Sequence, residues 1–272
     1  MKKLFSRPVL IIGFLVTLAL VAVALASLVW TPLPPAKMNI LHKLQPPLGF
    51  GLLGTDQFGR DVASMLMVGA WNSLSTAVLA VALGASAGTA VGVIVAMRRG
   101  WLELVTMRFC DIIFAVPPIL SAMMLGAFIG SGRLTAVAAI AVFMVPVFAR
   151  LTLSAARQIW TRDYVMAAIG MGRSKATITL VHILPNISGQ IIVQVTIQLG
   201  LAILTEAGLS FLGLGMPPPA PTWGRMLADA QTFLGQAPWL ALLPGLAIAL
   251  AVLGFNMLGD GLRDLLDPKS QA

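Results

Sequence analysis

Apolar residues in this chain come in long uninterrupted runs separated by short charged intervals, the pattern of whole helices immersed in lipid rather than of one-sided surface helices. A helix needs about 20 residues to cross a bilayer. Six stretches read as crossings: 8–30, 71–97, 109–130, 134–149, 187–204 and 239–258. An even number puts both ends of the chain on one side. The first run carries no charge and follows Lys2, Lys3 and Arg7. Ala24-Leu25-Ala26 resembles the cleavage site of a signal peptide, but the run is long for a signal's apolar core and reads as an uncleaved anchor. Gly84-x3-Gly88-x3-Gly92 places small residues on one face of the second crossing, which lets another helix approach closely, within this bundle or from a second membrane subunit. Pro117-Pro118 and Pro146 are expected to kink the third and fourth crossings.

The interval 150–185 is too long for a simple connection. Thr161 or Asp163 can cap a helix that carries apolar Tyr164, Val165, Ala167, Ala168 and Met171. Gly170 and Gly172 then permit a sharp turn. Ala176, Ile178, Leu180 and Ile183 suggest a second short helix, stopped before Pro185 because a proline disfavours helical geometry at the preceding residue. The pattern predicts a helix, turn and helix against the inner membrane face, either a surface element of its own bundle or a knob for a cytoplasmic partner.

Composition supports immersion in lipid. Of 272 residues 58% are hydrophobic and only 10% charged, and the mean hydropathy is +0.92, which does not suit a chain that must cover its surface with ions. Lys and Arg number 18 against 10 acids, a net charge of +8 with pI near 10.6. Such a balance in a soluble protein would suggest nucleic acid; here, with so few charges, it marks topology and no nucleic-acid partner is expected. The proposed inner side holds Lys2, Lys3, Arg7, Arg98, Arg99, Arg108, Arg150, Arg157, Arg162, Arg173, Lys175, Arg263 and Lys269, the outer side only Lys37, Lys43, Arg60, Arg133 and Arg225. That asymmetry places both termini in the cytoplasm. The single Cys110 excludes an intramolecular disulfide and a cysteine-cluster metal site.

Candidate chemistry is sparse. Gly170-Met171-Gly172-Arg173-Ser174-Lys175 lacks the spacing of a phosphate loop, and no strand precedes it. Asp111, Glu206 and Asp260 are the acids within or beside crossings, and all stand near helix ends, where snorkelling or pairing accounts for them. His42 and His182 fall on opposite sides of the membrane and cannot share a metal. No G-x-S-x-G elbow is present, and the 14 Met residues are scattered without a cluster. These features describe a conduit driven from elsewhere.

Asp163-Tyr164-Val165-Met166-Ala167-Ala168-Ile169-Gly170-Met171-Gly172, followed by His182-Ile183-Leu184-Pro185-Asn186, resembles the EAA loop of binding-protein-dependent ABC importers. Ala167, Ala168, Gly172, Leu184 and Pro185 match that pattern in register, whereas Met166 stands at the Glu position and His182 at an Ile position. Leu53-Gly54-Thr55-Asp56-Gln57-Phe58-Gly59-Arg60-Asp61-Val62, the stretch from Gly208 to Gly215 continuing through Pro217-Pro218-Pro219 to Trp223-Gly224, and Phe255 to Asp264 with Asp267-Pro268 are similar to the second permease subunit of dipeptide, oligopeptide and nickel importers. In the first of these, Thr55 or Asp56 can cap a short helix, Asp56 and Arg60 stand four apart, and Phe58, Val62, Met65 and Leu66 share a face. It reads as a helix on the outer membrane surface that anchors the second crossing, closes the outer mouth or touches a binding protein. The stretch after Glu206 reads as irregular chain at the outer face.

The resemblance implies an all-α integral membrane protein with the type I ABC importer permease fold: six transmembrane helices and a cytoplasmic EAA coupling loop. It divides the chain into an N-terminal tail, first helix and periplasmic segment (1–70), a permease domain (71–260, coupling loop 161–186) and a cytoplasmic tail (261–272). It further implies a non-catalytic inner-membrane subunit that forms half of the path for a peptide, nickel or a metal chelate. Its partners would be a homologous permease in a heterodimer, two cytoplasmic ABC ATPases, a periplasmic or lipid-anchored solute-binding protein, and membrane lipid. No cofactor is expected in this subunit, since ATP and Mg would be held by the ATPases. The alternative is an ion-coupled secondary transporter or a channel subunit, for which no intramembrane ionisable pair is evident.

Overall fold

The computed structural model describes residues 8–98 and 100–266. Lys2, Lys3, Arg7, Arg99, Asp267, Pro268 and Lys269 of the patterns above lie outside the described residues. In chain order the α-helices are α1 (Pro8–Ala26), α2 (Val62–Arg98), α3 (Trp101–Ala115), α4 (Pro118–Ile129), α5 (Arg133–Trp160), α6 (Asp163–Gly170), α7 (Lys175–Ile178), α8 (Leu184–Phe211), α9 (Trp223–Ala230) and α10 (Trp239–Leu266). A π-helical turn, Thr179–Ile183, joins α7 to α8. Among the described residues the one β-bridge pairs Thr55 with Asp61.

Among the described residues five helices are long and apolar enough to cross a membrane, and the bent pair α3–α4 makes a sixth if counted as one span. The stretch expected as a crossing at 109–130 is therefore not a single rod: its two halves meet at 87°. Consecutive prolines at 117 and 118 remove two backbone donors, and Val116, before the first of them, is extended at φ −96°, ψ 122°. Pro146 is instead buried within α5, whose helix continues past it to Trp160. The helix through 187–204 is also longer than expected. The short helix through Ala176 to Ile183 does not stop before Pro185 as expected but runs into this one, because the π-turn shifts the hydrogen-bond register and Pro185 falls in the first turn of α8, where an absent N–H costs least.

The centre of the bundle is the α2–α5 contact, its most extensive helix pair. Gly84, Gly88 and Gly92 form the seam. A Cβ at Gly88 would stand 2.5 Å from the Val145 carbonyl oxygen, and one at Gly92 2.6 Å from that of Ala149. The stripe thus packs inside this subunit. A second close seam joins the first and last helices: a Cβ at Gly13 would meet the Leu258 nitrogen at 2.6 Å, one at Gly261 would stand 2.5 Å from Leu10 Cβ, and one at Gly254 3.0 Å from Val16 Cγ1.

Three buried clusters follow one another along the bundle. The middle one gathers Leu74, Val81, Ile140, Phe148, Ile203 and Trp223 among others. At the end of α2 near Arg98, Val95, Ala96, Leu153, Ala156 and Trp160 pack with Val165, Ala168, Ile178, Ile183 and Ile187. At the opposite end Val62, Met65, Met226, Ala230, Ala237 and Leu240 form the third. Helix α2 has 37 residues and so measures about 55 Å, well beyond a bilayer's ~30 Å apolar core, which lets it reach both outlying clusters.

The helix expected around Thr55 to Leu66 is replaced by a tight loop that leads into α2. The Asp56 carboxylate accepts from the backbone N–H groups of Phe58 (2.9 Å) and Arg60 (2.8 Å) and from Arg60 Nε (2.6 Å). These bonds fold the chain back as an Asx turn instead of continuing it as a helix. The cap belongs to Asp61, whose Oδ2 accepts from the N–H and the hydroxyl of Ser64, at 2.8 and 2.6 Å.

Candidate functional site

The loop that resembles the EAA motif stands at the Arg98 end of α2. Helix α6 begins after Arg162, which is extended and makes no side-chain cap; neither Thr161 nor Asp163 caps it. Asp163 is its first residue, where a carboxylate is favoured by the helix dipole, and Thr161 donates to the Gln158 carbonyl. The helix seats itself through Val165 and Ala168, both buried against Trp160 and Ile183 in the second cluster. Its other side is open: Tyr164, Met166, Ala167, Ile169 and Gly170 are exposed.

The turn after α6 is set by hydrogen bonds. Gly172 N donates to the Ile169 carbonyl (2.9 Å) and Arg173 N to that of Ala168 (3.1 Å), the paired bonds of a Schellman motif. Gly172 has φ +78°, the left-handed region that favours glycine. No neighbour lies within 4 Å of a Cβ built there, so conformation and not space requires the glycine. Gly170 has no positive φ and simply ends α6. Ser174 then caps α7, accepting from Thr177 N at 3.1 Å. His182, in the π-turn, meets the Tyr164 ring edge-on at 6.0 Å between centroids, and its carbonyl accepts from Asn186 Nδ2. Leu184 is half-buried and Pro185 exposed.

Of the residues singled out in the sequence, Ala168 alone among the EAA positions is buried. Met166, in the place of the family's glutamate, is 57% exposed, and Met171 is 73% exposed. With Tyr164 and Ile169 they make an open apolar surface around a rigid turn. Leu180 and Val181 extend it. The arrangement holds no nucleophile–base pair; it is a shaped contact surface joined through a packed cluster to α2, α5 and α8.

The three acids differ in setting. Asp111 is exposed, paired with Arg150 and, at 3.9 Å, with Arg108. Asp260 is exposed on α10. Glu206 neither snorkels nor pairs with a cation: it is 1% exposed, and its Oε1 accepts from the Ser210 hydroxyl at 2.6 Å. Beside it the Ser73 hydroxyl accepts from Trp223 N at 3.3 Å. Trp223 Nε1 donates to the Leu66 carbonyl and Asn72 to that of Pro221. The stretch after Glu206 is therefore fastened to α2; it stays helical to Phe211, is irregular over 212–222 as expected, and leads into α9 at Trp223. Glu206–Ser210 at helical spacing was the available signal for this clamp.

A helical bundle with five or six apolar spans among its described residues is the architecture of a multi-pass membrane protein, here with an exposed apolar turn at one end. Residues 88–271 match the family described as binding-protein-dependent transport system inner membrane component, and the chain belongs to that family. The dipeptide transport system permease protein DppC of Alkalihalophilus pseudofirmus is 40% identical over 271 residues, 100% of this chain and 89% of that protein. The glutathione transport system permease protein GsiD of Pectobacterium atrosepticum is 38% identical over 269 residues, 98% of this chain and 89% of that one. GsiD of Escherichia coli O1:K1 is 45% identical over 216 residues, 79% and 71% of the two chains. A chain of the inward-facing MetNI methionine ABC transporter superposes with a TM-score of 0.63 over 75% of this chain and 97% of its own, at 20% identity, which shows the shared fold. The protein is a permease subunit of an ABC importer, with the type I permease fold, and is a multi-pass protein of the inner membrane.

Proposed function

We propose that this subunit forms half of the path by which a dipeptide or other short peptide enters the cell. The solute class is taken from its relatives, which transport dipeptides and glutathione by name. The rest of the machine is inferred: a homologous permease completes the path, two cytoplasmic ATPases hold ATP and Mg, and a periplasmic or lipid-anchored binding protein delivers the solute. Both termini and the 161–186 loop then face the cytoplasm, the side favoured by Arg150, Arg157, Arg162, Arg173 and Lys175. Residues 71–260 would be the permease domain, with 1–70 and 261–272 as its flanking segments.

The observation that carries the coupling role is the apolar surface of Tyr164, Met166, Ile169 and Met171 on a turn whose roots, Val165, Ala168, Ile178 and Ile183, are fully buried. A knob anchored in this way transmits a push as rigid-body motion of α2, α5 and α8. Met166 removes the carboxylate that the family pattern places there, so an ATPase groove would be met by packing at this position. Asp163 and the Tyr164–His182 ring pair supply the polar edge.

The test is purification followed by transport. The tagged subunit, extracted in mild detergent, is expected to bring down two ATPases and a second permease. Reconstituted with its binding protein, the complex is expected to accumulate a radiolabelled dipeptide in an ATP-dependent manner. A subunit that copurifies with no ATPase, or uptake that follows an ion gradient without ATP, counts against the reading.

A further inference from the structure

Helix α5 carries three arginines, and two of them have carboxylates: Arg150 pairs with Asp111 and Arg157 with Glu103. Arg133, the first residue of the helix, has none among the described residues. Its Nη2 donates to the Ser75 hydroxyl at 2.7 Å, and that hydroxyl donates in turn to the Trp71 carbonyl. Nε is sealed and meets no acceptor. Nη1 also makes no hydrogen bond within the described residues but, unlike Nε, stays accessible in this half-buried side chain. Of a guanidinium's several donors, a single one is engaged here.

The charge stands below the outer rim of the bundle. Ser75 lies about 20 Å along α2 from Val62, inside the stretch 71–97 that reads as a crossing. Arginines near helix ends ordinarily extend toward the headgroups, whereas Arg133 reaches across to α2. Its turn lies beside the loop that follows α8, where Gly132 N donates to the Leu214 carbonyl at 3.4 Å. A Cβ built on Gly130 or Gly132 would meet nothing within 4 Å, so open space borders the turn. Ionisable groups at such depth are costly unless they meet an opposite charge, and they face protein or water rather than lipid. The missing partner is therefore an anion from outside the chain, with room to approach. The dipole of α5, a helix of 28 residues, adds its positive end at the same point.

We propose that Arg133 reads a carboxylate on the solute's route: Nη1 takes the C-terminal carboxylate of a peptide passing between the two permeases, while Ser75 holds Nη2 and fixes the plane of the guanidinium. The assignment rests on the peptide reading above. A terminal carboxylate is common to peptides of every sequence, so one cation reads it without choosing between side chains. Contact through one edge also holds weakly enough for the solute to leave, as transport requires.

Phenylglyoxal, which adds to guanidinium groups, tests the site in the complex of both permeases and the ATPases, held in nanodiscs of neutral phospholipid and read at Arg133 by peptide mass spectrometry. Arg133 is expected to take the label, and excess dialanine to suppress labelling severalfold. Dialanine amide, which has no carboxylate, is expected to leave it unchanged. Suppression by both solutes equally, or by neither, overturns the proposal. An Arg133 that takes no label is already covered by protein or lipid, which overturns it too; suppression by anionic phospholipid but not by dialanine assigns the charge to a headgroup with the same result. Uptake in proteoliposomes with the binding protein gives an independent reading. Arg133→Gln, neutral and still a donor, is expected to slow dialanine uptake about tenfold or more, and Arg133→Lys to retain most of it. A glutamine variant that transports like the parent overturns the proposal and leaves the peptide reading intact; a parent complex that takes up no dialanine overturns the peptide reading itself.

Discussion

Two residues show how differently a single position can matter here. Gly172 has space around it and no freedom of conformation: at φ +78° a β-branched side chain is strained by about 1–2 kcal/mol or more. Gly172→Val is therefore expected to insert in the membrane and to hydrolyse ATP with little uptake, whereas Gly172→Asn, which tolerates the left-handed region, is expected to retain most transport. The measurement is the number of solutes moved per ATP in proteoliposomes, and an unchanged ratio for the valine variant would remove the turn from the coupling argument. Glu206 is the converse, a buried group whose partners define it. Glu206→Ala leaves the Ser210 hydroxyl without its acceptor and is expected to destabilise the subunit by about 1–3 kcal/mol, read as a lower Tm in detergent. Glu206→Gln keeps an acceptor and is expected to lie close to the parent.

At the scale of elements, helices were legible wherever lipid alone decides the outcome. An 8–26 rod or a 239–266 rod needs only length and apolarity, and both are present. Local competition between hydrogen bonds was harder to read. The spacing of Asp56 and Arg60 suits a helix, yet the Asp56 carboxylate accepts from backbone amides and closes a turn; the same atoms support either outcome, and the cap moves to Asp61. Pro185 reads as a stop until a π-turn brings it into a first helical turn. The glycine stripe states only that something approaches closely; that the something is α5 depends on tertiary contact. Its tightness yields a sharp contrast. Gly88→Leu is expected to prevent the α2–α5 seam from closing and to abolish folded, monodisperse protein in size-exclusion chromatography. Gly208→Ala, in a helix with nothing within 4 Å of the new Cβ, is expected to be tolerated and to gain roughly 0.5–1 kcal/mol. The ion pairs that hold α3 along α5, Glu103–Arg157 and Asp111–Arg150, lie at the surface of this subunit, with Glu103 half-buried and its partner open. Glu103→Gln is accordingly expected to change stability by less than about 1 kcal/mol, and by less still in high salt.

For the whole molecule, the buried clusters at its two ends and the one between them supply the stiffness that the proposed lever requires. The turn at Gly172 shares a cluster with the ends of α2 and α5; α2 runs unbroken to the opposite cluster and α5 to the middle one, so displacement at one end has a stiff route through α2 to the other. The contact between the first helix and the last has a different consequence, for biogenesis. Helix α1 leaves the ribosome long before α10 exists, yet Gly13 and Leu10 make close approaches to Leu258 and Gly261 of α10. During synthesis α1 can pack on α2 as soon as that helix follows it, but its larger contact waits for the final segment, which seals the bundle. A nascent chain halted before residue 239 should thus leave the Leu10–Gly13 face of α1 open to crosslinking with lipid or the insertion machinery, and release of the complete chain should withdraw that face from both.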